Sequence, residues 1–345
     1  MADGVAVLAC CGFKNSGKTT LIEGVIPLLR ERGLSIAVVK HDAHGVQLDR
    51  PGKDSDRLFM AGADVLLRGA NESAVRWHSA NEPDLEDAIR LMGANHDLVL
   101  VEGHKRTDLP KLWLLGDDGG DPPEDVSGIV RVLGRDDERV GAAVEVIEAF
   151  IDERWRARPI RSGILMGGES RRMGSPKQLL NHEGRTLIRR AVDGLGPTAV
   201  APVLLGSGPV PEDLADSHRL ADVPGIAGPL GGLVAALRWA PADAWLMVAC
   251  DQPLITREAV DWLMAQRRPG RWAVLPRLGD GPVEPFLAVY EPQALGLLEK
   301  LARSGAFGPW RIAGHEKVAS PEPPAELAAC WKNVNTPKEL DDLCR

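Results

Sequence analysis

Two glycine-rich loops of different design divide this chain, and each sits where an apolar run gives way to a helix-like segment. The first is Gly12-Phe13-Lys14-Asn15-Ser16-Gly17-Lys18-Thr19, and the second is Gly167-Gly168-Glu169-Ser170-Arg171-Arg172-Met173-Gly174-Ser175-Pro176-Lys177. Strand, loop and helix in that order make the unit from which α/β sheets are built. Two such loops of unlike chemistry suggest two fused enzymes, or an enzyme joined to a helper domain. At 345 residues the chain has room for two domains of roughly 150 residues, each able to bury a core.

The pattern along the chain supports that division. Val5 to Cys11 is a continuous apolar run, as a buried parallel strand requires. Helical spacing follows from Thr19 to Arg32, with Gly33 as a stop. Further strands are expected at 36–39, 64–67, 98–101, 112–115 and 129–133, and helices at 85–92 and 137–155. The first domain is read as 1–155, a tight junction as 156–161 (Pro159 with Arg156, Arg158 and Arg161), and the second domain as 162–345. The second starts again with a strand at 164–166, with others at 200–205, 245–249, 273–275 and 285–289. Its helices are expected at 186–195, 230–239, 257–267 and 292–303, with a last one at 337–344.

The formal net charge of -8 argues against a general nucleic-acid or anionic-membrane binder. No apolar stretch approaches the roughly 20 residues of a membrane helix. The acidic start, Met1 to Gly4, does not read as a signal peptide. Cys10, Cys11, Cys250, Cys330 and Cys344 are odd in number and form no C-x-x-C pair, so reduced thiols and a cytoplasmic location are expected.

Gly12-x-x-x-x-Gly17-Lys18-Thr19 is a complete P-loop in the strand-to-helix context that the motif needs. Its glycines let backbone N–H groups wrap a phosphate. Lys18 would reach the β- and γ-phosphates, and the Thr19 hydroxyl would bind Mg²⁺. Asn15, Ser16 and Thr20 complete the candidate nucleotide contacts. Positioning Mg²⁺ calls for a carboxylate, and Glu102 at a strand end and Asp42 are the candidates.

The second loop has no Gly-Lys-Thr. Backbone around Leu165, Met166, Gly167 and Gly168 can approach a base and phosphates closely, and Arg172 and Lys177 can neutralise a triphosphate and departing pyrophosphate. Asp251, after the run 245–249, is placed for Mg²⁺ at the C-terminal end of a strand. Asp222 precedes Gly228-Pro229-Leu230-Gly231-Gly232, a turn that could admit a base or ribose or could open a helix. Glu284, before Pro285 and Phe286, is a weaker candidate.

Phe13 to Thr20, then Lys40-His41-Asp42, then Asp49 to Ser55, then Val101-Glu102-Gly103-His104-Lys105 resemble MobB over residues 4–155. MobB is the GTP-binding adaptor family of molybdenum-cofactor biosynthesis. Gly167 to Lys177, the Pro229-Leu230-Gly231-Gly232 turn, Asp251-Gln252-Pro253 and Asn333-Val334-Asn335-Thr336-Pro337 resemble MobA, the molybdenum-cofactor guanylyltransferase family, over 162–345. Met166 stands where that family has alanine.

The resemblance implies an N-terminal P-loop NTPase domain followed by a Rossmann-like nucleotidyltransferase domain. It implies GTP at Leu165, Met166, Gly167, Lys177, Asp222 and Asp251, Mg²⁺ at Asp251, and the pterin substrate near Asn333 and Asn335. Implied partners are GTP, Mo-molybdopterin, molybdoenzymes or their chaperones, the molybdenum-insertion protein, and a second copy through the N-terminal domain. Three readings stay open beside guanylyl transfer: CTP as donor, a sugar phosphate as acceptor, and a GTP-regulated carrier without transfer chemistry.

Overall fold

The computed structural model describes residues 4–41, 48–78, 81–117, 119–135, 138–166, 176–196, 201–334 and 339. Packing divides the chain into two compact units. The first comprises Met1–Leu28, Ile36–Gly93 and Leu98–Ile147; the second comprises Leu29–Ser35, Ala94–Asp97 and Glu148–Arg345.

The chain opens with β1 (Val7–Gly12), α1 (Lys18–Glu31) and β2 (Ile36–Lys40). Next come α2 (Asp54–Met60), β3 (Val65–Arg68), β4 (Ser73–Arg76) and α3 (Leu85–Gly93). Then follow β5 (Leu98–Glu102), β6 (Lys111–Leu114), β7 (Ile129–Leu133) and α4 (Arg139–Ala157). An all-parallel sheet takes the order β2-β5-β1-β6-β7. Val7, Ala9 and Cys11 of β1 pack with Val99, Val101 and Trp113. Such a strand is buried on both faces, which is why it reads as an unbroken apolar run.

The strand expected at 64–67 forms, but outside that sheet. It pairs with β4 as a separate antiparallel hairpin. Neither β4 nor α2 was expected. No residue of α2 is buried, and β4 is short and partly polar, so neither carries the apolar stripe that signals an element. Lys111 is fully buried, and its ammonium donates to the Thr107 and Ser127 carbonyls, both at 2.6 Å.

The second unit contributes β8 (Ile160–Leu165), β9 (Asn181–His182), β10 (Arg185–Thr186), α5 (Leu187–Gly194) and β11 (Val203–Leu205). After these come β12 (Arg219–Leu220), α6 (Pro229–Trp239), β13 (Ala244–Ala249) and α7 (Arg257–Ala265). The series ends with β14 (Ala273–Val274), β15 (Ala288–Tyr290), α8 (Ala294–Arg303) and β16 (Val318–Ala319). Their sheet runs β12-β11-β8-β13-β15-β14-β16. Its first four strands are parallel, and β15 runs antiparallel to both neighbours.

Alternation along β13 feeds two cores. Leu246 and Val248 meet α5 and α7 through Ile188, Ala191, Ala259 and Leu263. Trp245 and Met247 meet α6 and α8 through Leu233, Leu237, Ala294 and Leu298. Helices thus cover both faces, as an α/β sheet requires.

Two arginines of the expected junction also form ion pairs. Arg158 meets the buried Glu291 at 2.8 Å, and Arg161 meets Asp243 at 2.5 Å. Only Arg158 and Pro159 lie between the end of α4 and the start of β8. The strand expected at 285–289 begins later, at Ala288, because Leu287 takes a left-handed conformation at φ +50° that no strand continues through. The helix expected at 337–344 lies outside the described residues, Glu339 apart.

Candidate functional site

The first loop leaves β1 at Gly12 and enters α1 at Lys18. Gly12 has φ +155°, and a Cβ there would meet Ser16 Oγ and, at 2.6 Å, the Leu114 carbonyl oxygen. Asn15 and Gly17 turn through left-handed conformations at φ +65° and +84°, the kind of turn from which anion-binding nests are built. Lys18 Nζ lies back over the loop and donates to the carbonyls of Phe13 at 2.8 Å and Gly12 at 3.3 Å. Ser16 is buried, while Asn15, Thr19 and Thr20 are exposed around the loop.

Glu102 ends β5 abreast of Cys10 in β1 and Lys40 in β2. Its carboxylate accepts from the Thr19 hydroxyl at 2.8 Å and faces Lys40 Nζ at 3.4 Å. The two residues expected to share a cation are therefore together. Asp42, the other carboxylate candidate, lies outside the described residues.

Sequence reasoning missed Arg139, the first residue of α4. Its guanidinium donates to the Ser16 carbonyl at 2.9 Å, the Leu115 carbonyl at 2.6 Å and the Gly134 carbonyl at 2.5 Å. It thereby ties the loop to the ends of β6 and β7. No sequence signal marks it, since its partners are backbone atoms from three separate segments.

His104 is also left-handed, at φ +55°, and its ring lies 5.1 Å from that of His41. Burial, and then the neighbouring His41, hold its pKa below the usual histidine range. The pair edges a cleft of about 330 Å³ whose other side is Glu82, Asp84 and the start of α3. Cys10 and Cys11 are buried free thiols, and burial pushes Cys10 up to about 12.

The second candidate site is a cavity of about 380 Å³ in the second unit. Leu165 and Met166 reach it from the end of β8, and Asp222, Gly228 and Pro229 from the approach to α6. Ala249, Cys250 and Asp251 enter from the end of β13, and Phe286 and Asn333 close the wall. Lys177 opens a short 3₁₀ turn, 177–179, and its Nζ lies 3.1 Å from Asp251 Oδ2. Gln178 is buried and seats that turn by donating to the Pro209 carbonyl at 3.1 Å. Gln252 is buried too, and its amide oxygen accepts from Ala249 N at 3.0 Å, shaping the turn that carries Asp251.

The glycine-rich turn divides its work. Gly228 and Pro229 line the cavity, whereas Gly231 and Gly232 lie buried inside α6. A Cβ on Gly231 would meet the Ile226 carbonyl oxygen at 2.9 Å and Asp222 Cβ at 3.1 Å. Gly231 and Gly232 thus let α6 pack closely against Asp222. Asp222 is exposed as a residue, yet partial desolvation of its carboxyl raises its pKa above the usual range.

Met166 is 7% exposed and packs with Leu204 and Cys250, so its side chain belongs chiefly to the core. Burial pushes the Cys250 thiol up to about 12, and the Asp251 charge adds to that. Glu284 is half-buried and raised by burial, and it is not part of the cavity wall. Gly167, Gly168, Arg172 and Asn335 lie outside the described residues.

Residues 7–132 match the family model for Molybdopterin guanine dinucleotide synthesis protein B, and residues 163–318 match that of the MobA-like NTP transferase domain. The Molybdopterin-guanine dinucleotide biosynthesis adapter protein of Escherichia coli (strain K12) is 36% identical over 129 residues, 35% of this chain and 72% of that protein. A probable molybdenum cofactor guanylyltransferase of Pelotomaculum thermopropionicum is 33% identical over 183 residues, 51% of this chain and 88% of that protein. The chain belongs to both families. A Molybdenum cofactor biosynthesis bifunctional protein of Synechocystis sp. is 30% identical over 191 residues, and the match spans 54% of each chain.

The MobB match contains the P-loop, Glu102 and the strands that carry them. The MobA-like match contains Leu165, Met166, Lys177, Asp222 and Asp251, and marks that region as a nucleotidyltransferase. Asn333 lies past its end.

Proposed function

We propose that the MobA-like region transfers GMP from GTP to Mo-molybdopterin with release of pyrophosphate, and that the MobB-like region binds a second GTP as an adapter. The observation that carries this reading is the meeting of Lys177 and Asp251 at 3.1 Å beside a cavity that Leu165, Asp222 and Asn333 also line. Those groups come from five separate segments of the chain.

In this reading the nucleoside lies between Asp222 and the end of β8. The terminal phosphate oxygen of the acceptor attacks the α-phosphorus. The bond from that phosphorus to the bridging oxygen of the β-phosphate breaks, and pyrophosphate leaves with the electron pair. Lys177 neutralises charge that builds on the phosphate oxygens. Arg172 would add a second cation. Holding acceptor and donor in line accounts for much of the rate. No side chain need become covalently linked.

Both sites offer the hard oxygen donors that Mg²⁺ prefers: the Asp251 carboxylate in one, the Thr19 hydroxyl and the Glu102 carboxylate in the other. Among the described residues no group of three or more His, Cys, Asp or Glu side chains is placed to hold a metal ion. When bound, Mg²⁺ would supply charge neutralisation and orientation of the phosphates.

The test is pyrophosphate release by the purified chain with Mg²⁺, Mo-molybdopterin and either GTP or CTP. The expected result is release with GTP, lowered at least about a hundredfold by Asp251→Ala and left within about twofold by Lys18→Ala. Release with CTP alone would overturn the donor assignment. Release with neither, from a chain that still binds GTP, would replace transfer by a carrier role.

A further inference from the structure

The sheet order arranges the walls of the second cavity along one edge. Asp222 follows β12, Leu165 ends β8, and Asp251 follows β13. Because β15 is antiparallel to β13, with Met247 opposite Ala288, the start of β15 lies at that same edge. Phe286 therefore stands beyond Asp251, on the side away from Asp222 and β8. On the transfer reading above, the nucleoside takes the near side, which leaves the Phe286 side to the other substrate.

The backbone around Phe286 is built to present it. Leu287 is a fully buried, non-glycine residue held at φ +50°, a conformation such residues rarely adopt. The carbonyls on both sides of Phe286 are fastened by buried aromatic side chains. Tyr290 Oη donates to the Pro285 carbonyl at 2.8 Å, and Trp331 Nε1 donates to the Leu287 carbonyl at 2.9 Å. Leu287 fills the core, while Phe286 stays half-buried, one side on the apolar cluster of α6 and α8 and the other on the cavity. Asn333 is brought to the same wall because Val334 N donates to the Asp251 carbonyl at 2.9 Å.

We infer that Phe286 is the stacking face for the pterin ring of the acceptor. The inference rests on the transfer reading above. Phosphates and metal-binding oxygens have no use for a phenyl ring, whereas a flat, amide-edged heterocycle stacks on one with little demand on orientation. A ring seated there would leave its phosphate free to extend toward Asp251 and Lys177.

Steady-state pyrophosphate release by the full chain tests this, with GTP and Mo-molybdopterin varied in turn. Phe286→Ala and Phe286→Leu are expected to raise the acceptor KM by about tenfold or more, the scale of one lost stacking contact. The KM for GTP should stay within about twofold, and Phe286→Tyr should restore the acceptor KM, since it keeps the ring. An unchanged acceptor KM in the alanine variant, a wild-type value in the leucine variant, or a rise confined to GTP would overturn the assignment.

Direct binding of molybdopterin, read by pterin fluorescence, separates this failure from failure of the transfer reading. A wild-type chain without turnover that binds the pterin, with Phe286→Ala binding about tenfold more weakly, would sink transfer and keep the platform. Equal binding by the two would overturn the platform, and no binding by the wild type would overturn both.

Discussion

The two candidate sites are held in opposite ways. In the P-loop, Lys18 finds its partners among carbonyls of its own loop, and Arg139 fastens that loop from behind through the Ser16 carbonyl. In the transferase cavity, Lys177 meets Asp251, which lies 74 residues away at the end of another strand. The first site is a backbone shape made by consecutive residues. The second is a meeting of side chains arranged by the packing of a sheet and its helices. Damage to the first should therefore stay local, whereas damage to the second should travel through packing.

Gly12→Ala is the largest test of that difference. The new Cβ would lie 2.6 Å from the Leu114 carbonyl oxygen, a backbone atom of the neighbouring strand, so the loop must move. Misplacement by about 1 Å can cost on the order of a hundredfold, and a loss of that size is expected in GTP affinity at the P-loop. Pyrophosphate release by the MobA-like region should be unaffected. Titration with a fluorescent GTP analogue and the transfer assay, run on the same preparation, separate the two. Equal loss in both would break the contrast.

Gly231→Ala probes the second site from inside a helix. Alanine normally favours a helix over glycine by about 1 kcal/mol. Here its Cβ would press on the Ile226 carbonyl oxygen at 2.9 Å and on Asp222 at 3.1 Å. Overpacking of this kind costs about 1–3 kcal/mol and should outweigh the gain in propensity. Displacement of Asp222 should raise the KM for GTP in transfer by roughly tenfold, short of the hundredfold that a full ångström brings. Chemical denaturation and transfer kinetics would check both parts. A more stable variant with an unchanged KM would show that α6 yields without moving Asp222.

What could be read in advance follows the same contrast. Eight consecutive residues announced the P-loop, and a carboxylate at the end of an apolar run pointed to Glu102. Arg139 stayed hidden because its partners are carbonyls, which carry no residue identity. The strands of both sheets were legible wherever burial on two faces made an apolar run, as in β1, β5 and β13. The hairpin of β3 and β4 and the exposed α2 carry no such run. At the second site, Asp251 and Lys177 were legible one by one, but their meeting depends on the pairing of β8 with β13. The sequence pattern places Phe286 within a strand, because a left-handed leucine has no signature in composition or periodicity.

The smallest expected effects concern pH, where one group from each unit should act with opposite sign. His104 has its pKa lowered by burial and by His41. Its contribution to stability is present above the unfolded histidine value of about 6.5 and is lost as pH falls through the lower folded value. Glu284 has its pKa raised by burial. Its contribution is fully present below the unfolded glutamate value of about 4.3 and is lost as pH rises through the higher folded value. On acidification from neutral pH, the wild type should therefore lose stability relative to His104→Asn and gain it relative to Glu284→Gln. Unfolding midpoints of the three chains between about pH 4.5 and 7.5 would show two difference curves of opposite slope, the histidine curve turning nearer neutrality. Parallel curves would mean that one of the two groups is solvated in the folded chain, and would remove burial as the common cause of both shifts.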